Sequence, residues 1–167
     1  MKNFIIILFL NCLLISTNEV FSQILVENIP SKKTSSKPIA TGASVHGVFE
    51  GRCPCQELAK ELKIAIFTEC FKTKWGLTLW QSPDNQTPST YKIESSFYRE
   101  TPREGKWKIT KGTKNNPDAI VYQLDSEGLE PIFLMKGDEN VLFFLDNNKN
   151  LLVGNMLFSY TLNRVTQ

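Results

Sequence analysis

Three cysteines, Cys53, Cys55 and Cys70, are the residues of this chain with the clearest capacity for chemistry. Thiolates bind soft cations such as Cu(I), and two thiols held close together form a disulfide. On an extended strand, Cys53 and Cys55 would point the same way with Cα atoms about 6–7 Å apart, at the upper limit for a bridge. Cys70 is therefore the natural partner for one of them.

A disulfide between Cys55 and Cys70 is the pairing we favour, because Pro54 turns the chain and Cys55 opens the next element. Closing a loop of about fifteen residues would stabilise the fold by roughly 3 kcal/mol in the chain-entropy model. Cys53 would then be a spare thiol. Two alternatives stay open. One is a Cu(I) site made by Cys53, Cys55 and Cys70, and the other is a redox-sensing thiol beside a disulfide.

Other reactive residues give little support for catalysis. The chain has one histidine, His46, in a predicted strand, which argues against a zinc or di-metal enzyme site built from histidines. Glu57, Glu61 and Glu69 show no pairing that would suit acid–base work. We therefore predict no catalytic residues and a protein that is not an enzyme.

Two tryptophans, Trp75 and Trp107, are the candidate lining of an internal cavity. Aromatic side chains on the inner face of a small barrel can surround an apolar ligand. They can equally fill the barrel centre with no ligand present, and the sequence leaves both interpretations open.

The N-terminal residues have the three-part plan of a secretory signal peptide. Lys2 precedes an apolar run from Phe4 to Ile15, and cleavage is expected after Ser22. The run is about twelve residues long, whereas a membrane-spanning helix needs about twenty. We predict a signal peptide at 1–22 and export to the periplasm or cell envelope.

Two further destinations follow from the same region. Release from the cell is one alternative, and attachment to the outer membrane as a lipoprotein is the other. Cys12 is the residue that would carry the lipid, although Phe9-Leu10-Asn11 before it match the usual small residue poorly.

The rest of the chain divides into a tether and one domain. Residues 23–43 include a basic stretch rich in Ser and Pro, which predicts a flexible tether. Residues 44–167 are enough for one domain with its own core. The formal net charge is +2, from 19 Lys and Arg against 17 Asp and Glu. With no basic stripe, nucleic acid is not an expected partner.

The domain is predicted to be mainly β. Gln56 to Lys63 has helical spacing and predicts one short helix, whereas alternating apolar residues predict about eight short strands. These strands are expected at 45–50, 71–80, 91–98, 105–110, 119–124, 131–135, 141–145 and 158–162. Short strands joined by compact turns favour a meander closed into a small antiparallel barrel, with a sandwich as the alternative.

The chain from about Val45 to Arg164 resembles the N-terminal domain of the NlpE family of envelope proteins. The resemblance rests on the order and spacing of short motifs. These are Gly47-Val48-Phe49-Glu50-Gly51 leading to Pro54-Cys55, then Gly105-Lys106-Trp107, then Leu142 to Asp146 before a polar turn, and finally Phe158 to Arg164.

The resemblance implies a lipocalin-like barrel and a non-enzymatic role in copper resistance or envelope-stress signalling. It also implies Cu(I) as a metal, an envelope signalling protein as partner and, in typical members, a lipid anchor. The family pattern is Pro-Cys-x-x-Cys; Cys55 matches its first cysteine, but Leu58 occupies the second position. The alternative function is that of a lipocalin-like carrier of a small apolar ligand.

Overall fold

The computed structural model describes residues 30–32 and 38–166. The predicted signal peptide, Cys12 and most of the predicted tether lie outside these residues. The elements in chain order are β1 (Ser31–Lys32), β2 (Val45–Pro54), α1 (Gln56–Glu61), β3 (Lys72–Gln81), β4 (Pro88–Ser95), β5 (Arg103–Lys111), β6 (Ile120–Asp125), β7 (Ile132–Lys136), β8 (Val141–Leu145) and β9 (Thr161–Thr166). Within the described ranges, no helix has the length and apolar character needed to cross a membrane.

The sheet closes on itself as an antiparallel barrel. Each strand from β2 to β8 pairs with the next one along the chain, and β9 pairs with both β8 and β2. The predicted barrel of eight short strands, with a helix after its first strand, is confirmed. The short β1, within the predicted tether, adds to the outside by pairing in parallel with β9.

Alternating burial along β3 shows why these residues form a barrel wall. Thr73, Trp75, Leu77 and Leu79 are buried, whereas Lys74 between them is exposed. Opposite faces of a strand take alternate side chains, so one face fills the interior and the other meets water. At the junction of β2 and β9, a Cβ on Gly51 would lie 2.3 Å from the carbonyl oxygen of Thr161. Only glycine allows this close approach.

Several strand boundaries differ from the sequence prediction: β2 continues to Pro54 instead of ending at Glu50, and the largest other shifts are in β4 and β9. β4 ends at Ser95 rather than continuing to Tyr98, because the Ser95 hydroxyl accepts a hydrogen bond from the Phe97 amide and starts a turn. β9 begins at Thr161 rather than Phe158, because the Asn155 side chain accepts the amides of Leu157 and Phe158. Local side-chain bonds to the backbone compete with strand pairing in this way.

Helix α1 covers the end of the barrel at which β2 finishes. It buries Leu58 and Ala59, and Leu62 follows directly after it. The Asn147 side chain donates to the Glu61 carbonyl at 3.1 Å and fixes the far end of the helix to the β8–β9 connection. The helix therefore belongs to the same core as the strands, whose large buried members include Phe49, Trp75, Leu77, Tyr91, Trp107, Leu134, Phe144 and Leu162.

Candidate functional site

The three cysteines lie in the part of the chain around α1, at one end of the barrel. Cys53 lies near the end of β2 opposite Thr73 of β3, and Cys55 directly precedes α1. Cys70 lies immediately before Phe71 and the start of β3. The turn at Pro54 thus brings the first residues of α1 next to the beginning of β3.

Cys55 and Cys70 form a disulfide, with Cα atoms 5.7 Å apart. This confirms the predicted pairing. The Gln56 side chain strengthens the same connection, because its amide donates to the carbonyl oxygens of Thr68 at 2.9 Å and Cys70 at 3.3 Å. The segment between α1 and β3 is therefore held by one covalent bond and by two hydrogen bonds beside it.

Cys53 is the spare thiol that the sequence predicted. It is free and buried, with 0% of its surface exposed. Burial raises the pKa of the Cys53 thiol to about 12, against a small opposing effect of a hydrogen bond with the Thr161 backbone. Burial also raises the pKa of nearby Tyr160 to about 12, and the charge of Glu57 adds to that rise. Near neutral pH Cys53 is therefore a thiol, which is a poor nucleophile and a poor metal ligand.

The structure separates the thiols from the histidine. His46 and Cys53 lie toward opposite ends of β2, seven residues apart, which corresponds to about 23 Å along an extended strand. His46 cannot join the sulfur atoms around one ion. In the described part of the chain, no group of three or more His, Cys, Asp or Glu side chains is arranged to hold a metal.

His46 belongs to a hydrogen-bonded cluster at the other end of the barrel. Its Nδ1 lies 3.0 Å from Gln81 Oε1, and its Nε2 lies 3.2 Å from the Tyr122 hydroxyl. A neutral ring protonated on Nδ1 satisfies both contacts, because it donates to the amide oxygen and accepts from the phenol. Burial lowers the pKa of His46, and Arg164 and Lys136 contribute in the same direction, while the Gln81 hydrogen bond opposes them.

Trp75 and Trp107, the predicted cavity lining, are both buried core residues. Trp75 makes edge-to-face contact with Phe144 at 5.2 Å between ring centroids, and Trp107 contacts Tyr122 at 5.0 Å. The indole N–H groups of the two tryptophans differ in their hydrogen bonding. The Trp107 indole N–H donates to the Trp80 carbonyl at 2.6 Å, whereas Trp75 Nε1 meets no protein acceptor among the described residues.

A buried arginine is a feature that the sequence analysis missed. Arg103 at the start of β5 is 4% exposed. Its guanidinium donates to the hydroxyls of Tyr91 at 3.1 Å and Tyr98 at 3.2 Å, and also to Ser126 and to the Glu130 carbonyl. Burial alone would lower the pKa of Arg103, but these hydrogen bonds outweigh it and raise the pKa. A charged residue in a strand gives no sequence signal for such a position.

Comparisons of the chain with protein-family models, with curated proteins and with solved structures found no match. The resemblance to the NlpE family and the functions that it implies therefore stay predictions. The fold and the sulfur geometry are the observations from which a function must be argued.

Proposed function

We propose that this protein is an exported, non-enzymatic protein of the cell envelope that acts by binding, in a copper or envelope-stress response. The observation that carries this proposal is the Cys55–Cys70 disulfide. Structural disulfides form and persist in oxidising compartments and are rare in the cytosol. The export signal predicted at 1–22 accounts for the same compartment.

A binding role, rather than catalysis, suits the reactive groups that the structure places. Cys53 is buried and its pKa is raised to about 12, so it is not an activated nucleophile. His46 is engaged by Gln81 and Tyr122, and within residues 30–32 and 38–166 neither a thiol nor a serine hydroxyl is among its hydrogen-bond partners. An envelope signalling protein is the partner class that the family resemblance implies.

Cellular fractionation tests the compartment. The full chain is produced in its host cell, and the mass of the product and the state of Cys55 and Cys70 are measured. We expect a chain beginning at Gln23, outside the cytosol, with both cysteines bridged. A matched variant, Leu8→Arg, interrupts the apolar run and should leave an uncleaved cytosolic chain with reduced thiols. An intact, reduced wild-type product among cytosolic proteins would contradict the proposal.

Copper binding by the three cysteines requires reduction first, because the disulfide occupies two of the sulfur atoms. An anaerobic Cu(I) titration of the oxidised and reduced protein, with a competing chelator, tests this. We expect Cu(I) binding by the reduced protein alone, weakened by Cys55→Ser, with Cys55 and Cys70 as the main ligands because Cys53 is a buried thiol. Affinity no higher than that of a free thiol, or equal affinity in both redox states, would rule out this site.

A ligand-carrying role is the second candidate, and the observation that favours it is the buried Trp75 Nε1. A buried donor without an acceptor is unfavourable, so a small guest that supplies an acceptor would be stabilised there. Mass spectrometry of an organic extract of the folded protein tests it. The same guest should be reduced in Trp75→Phe, and an extract with no guest in the wild type would reject a carrier.

A further inference from the structure

A groove of about 540 Å³ opens at the α1 end of the barrel, outside the interior. The α1–β3 connection forms one wall with Ile64, Ala65, Ile66 and Phe67, and Phe97 from the β4–β5 connection forms the other. Its size falls within the range of small-molecule pockets, about 300–1,000 Å³. The two walls are distant in sequence, and the groove exists only because the barrel brings them together.

The groove is apolar but open to water. At the base of the two walls, Ile64 and Phe97 pack against the core and form the floor of the groove, whereas Phe67 on the rim is 86% exposed. The disulfide at Cys70 lies in the same lining and fixes the wall that carries Phe67. A rigid apolar surface that remains exposed favours a ligand that would cover it.

The charged side chains of the lining are both cations, Lys72 and Arg99. Neither is paired with a carboxylate in the described part of the chain. The Lys72 ammonium also lies 5.7 Å from the centre of the Phe158 ring, which is outside the lining. Glu69 and Glu100, close in sequence, are not part of the lining. The groove therefore combines an apolar floor with positive charge.

We propose that this groove binds a free long-chain carboxylate as a monomer. The apolar chain lies along Ile66, Phe67 and Phe97, and the carboxylate pairs with Arg99, with Lys72 in reach. A guanidinium suits this head group because its N–H donors match a carboxylate in a bidentate pair. The site lies outside the barrel interior and is therefore distinct from a guest beside Trp75, but it shares Cys70 with the copper site, so it is tested on the oxidised protein.

Calorimetric titration of the oxidised protein with dodecanoate below its micelle concentration tests the site, with dodecyltrimethylammonium as the oppositely charged probe. We expect saturable binding of dodecanoate and at least tenfold weaker binding of the cation. Phe67→Ser should weaken dodecanoate binding about tenfold. Arg99→Gln combined with Lys72→Gln should weaken dodecanoate binding at least tenfold and narrow the preference over the cationic probe.

Matched controls lie elsewhere on the barrel. Ile109 is an exposed apolar residue at 51% exposure, and Lys111 is an exposed cation on the same strand. Ile109→Ser and Lys111→Gln should leave the affinity within twofold. Because Phe67 and Arg99 are exposed, their variants should keep the wild-type unfolding midpoint. If Phe67→Ser lowers that midpoint, the double variant Arg99→Gln with Lys72→Gln decides the outcome.

Three results would overturn the proposal. The first is no dodecanoate binding up to millimolar concentration. The second is binding that the groove variants leave unchanged, which would place the ligand inside the barrel. The third is binding to phosphatidylglycerol vesicles without binding of the monomer, which would make this end a membrane-docking surface instead.

Discussion

The Cys53 thiol should be almost unreactive while the barrel is folded. A thiol at the ordinary pKa of 9.0 is about 9% ionised at pH 8, whereas one with a pKa of about 12 is about 0.01% ionised. The smaller thiolate fraction alone slows its reaction with a disulfide reagent roughly a thousandfold, and the greater nucleophilicity of a more basic thiolate offsets part of this. Because 0% of its surface is exposed, the reagent must also wait for the structure to open, which slows the reaction further.

Thiol labelling with a chromogenic disulfide reagent at pH 8 measures this directly. The experiment uses a Cys12→Ser background, with and without guanidinium, and no reductant. We expect no rapid labelling of the folded protein and one thiol per chain after unfolding, since Cys55 and Cys70 are bridged. The comparator is an exposed thiol, Ser89→Cys, introduced together with Cys53→Ser.

Two outcomes would refute the reasoning. Labelling of native Cys53 within tenfold of the Ser89→Cys rate would show that the thiol is accessible and ionised. Three thiols after unfolding, from protein kept oxidising throughout, would show that the disulfide is not formed.

Three other perturbations test the fold and its charges. The double variant Cys55→Ser with Cys70→Ser should lose about 3 kcal/mol of unfolding free energy in urea, as should reduction of the wild type; a loss below 0.5 kcal/mol would mean that the bridge is not a staple. Arg103→Met should cost about 2–4 kcal/mol, because it leaves buried hydroxyls and a carbonyl without their donor, whereas exposed Arg99→Met should cost under about 0.5; equal costs would remove the argument. The lowered pKa of His46 means that the unfolded chain takes up a proton first as pH falls below about 6.5. Stability should therefore fall between pH 7.5 and 5 by calorimetry, and His46→Gln should flatten that dependence; an equal slope in the variant would contradict the assignment.

Much of the fold could be predicted because its signals are local. Trp75, Leu77 and Leu79 alternate with polar or small residues, and that period of two marks a barrel wall. Asp146 before Asn147 predicted a turn, and its carboxylate accepts the backbone amides of Asn148 and Asn150 at 2.8 Å. The disulfide could be predicted from the spacing of the cysteines and from the turn at Pro54, which are also local features of the sequence.

The remaining features depend on contacts between distant residues. Arg103 is buried only because hydroxyls and a carbonyl from other strands meet its guanidinium. The partners of His46 lie 35 and 76 residues away, and Arg99 reaches the groove from a different connection than Phe67. The periodicity of apolar residues carries no information about contacts between residues that are distant in sequence, so these sites could not be located from the sequence.

The double pairing of β9 has a consequence for the order of events during biosynthesis. Phe49 in β2, the first barrel strand, pairs with Arg164, and Phe143 in β8 pairs with Thr161. Until residues 161–166 have been made, β2 and β8 both present unpaired backbone edges that can join another chain. A nascent chain that paused before this point would be prone to aggregation, and a holding chaperone would protect it until the last strand arrived.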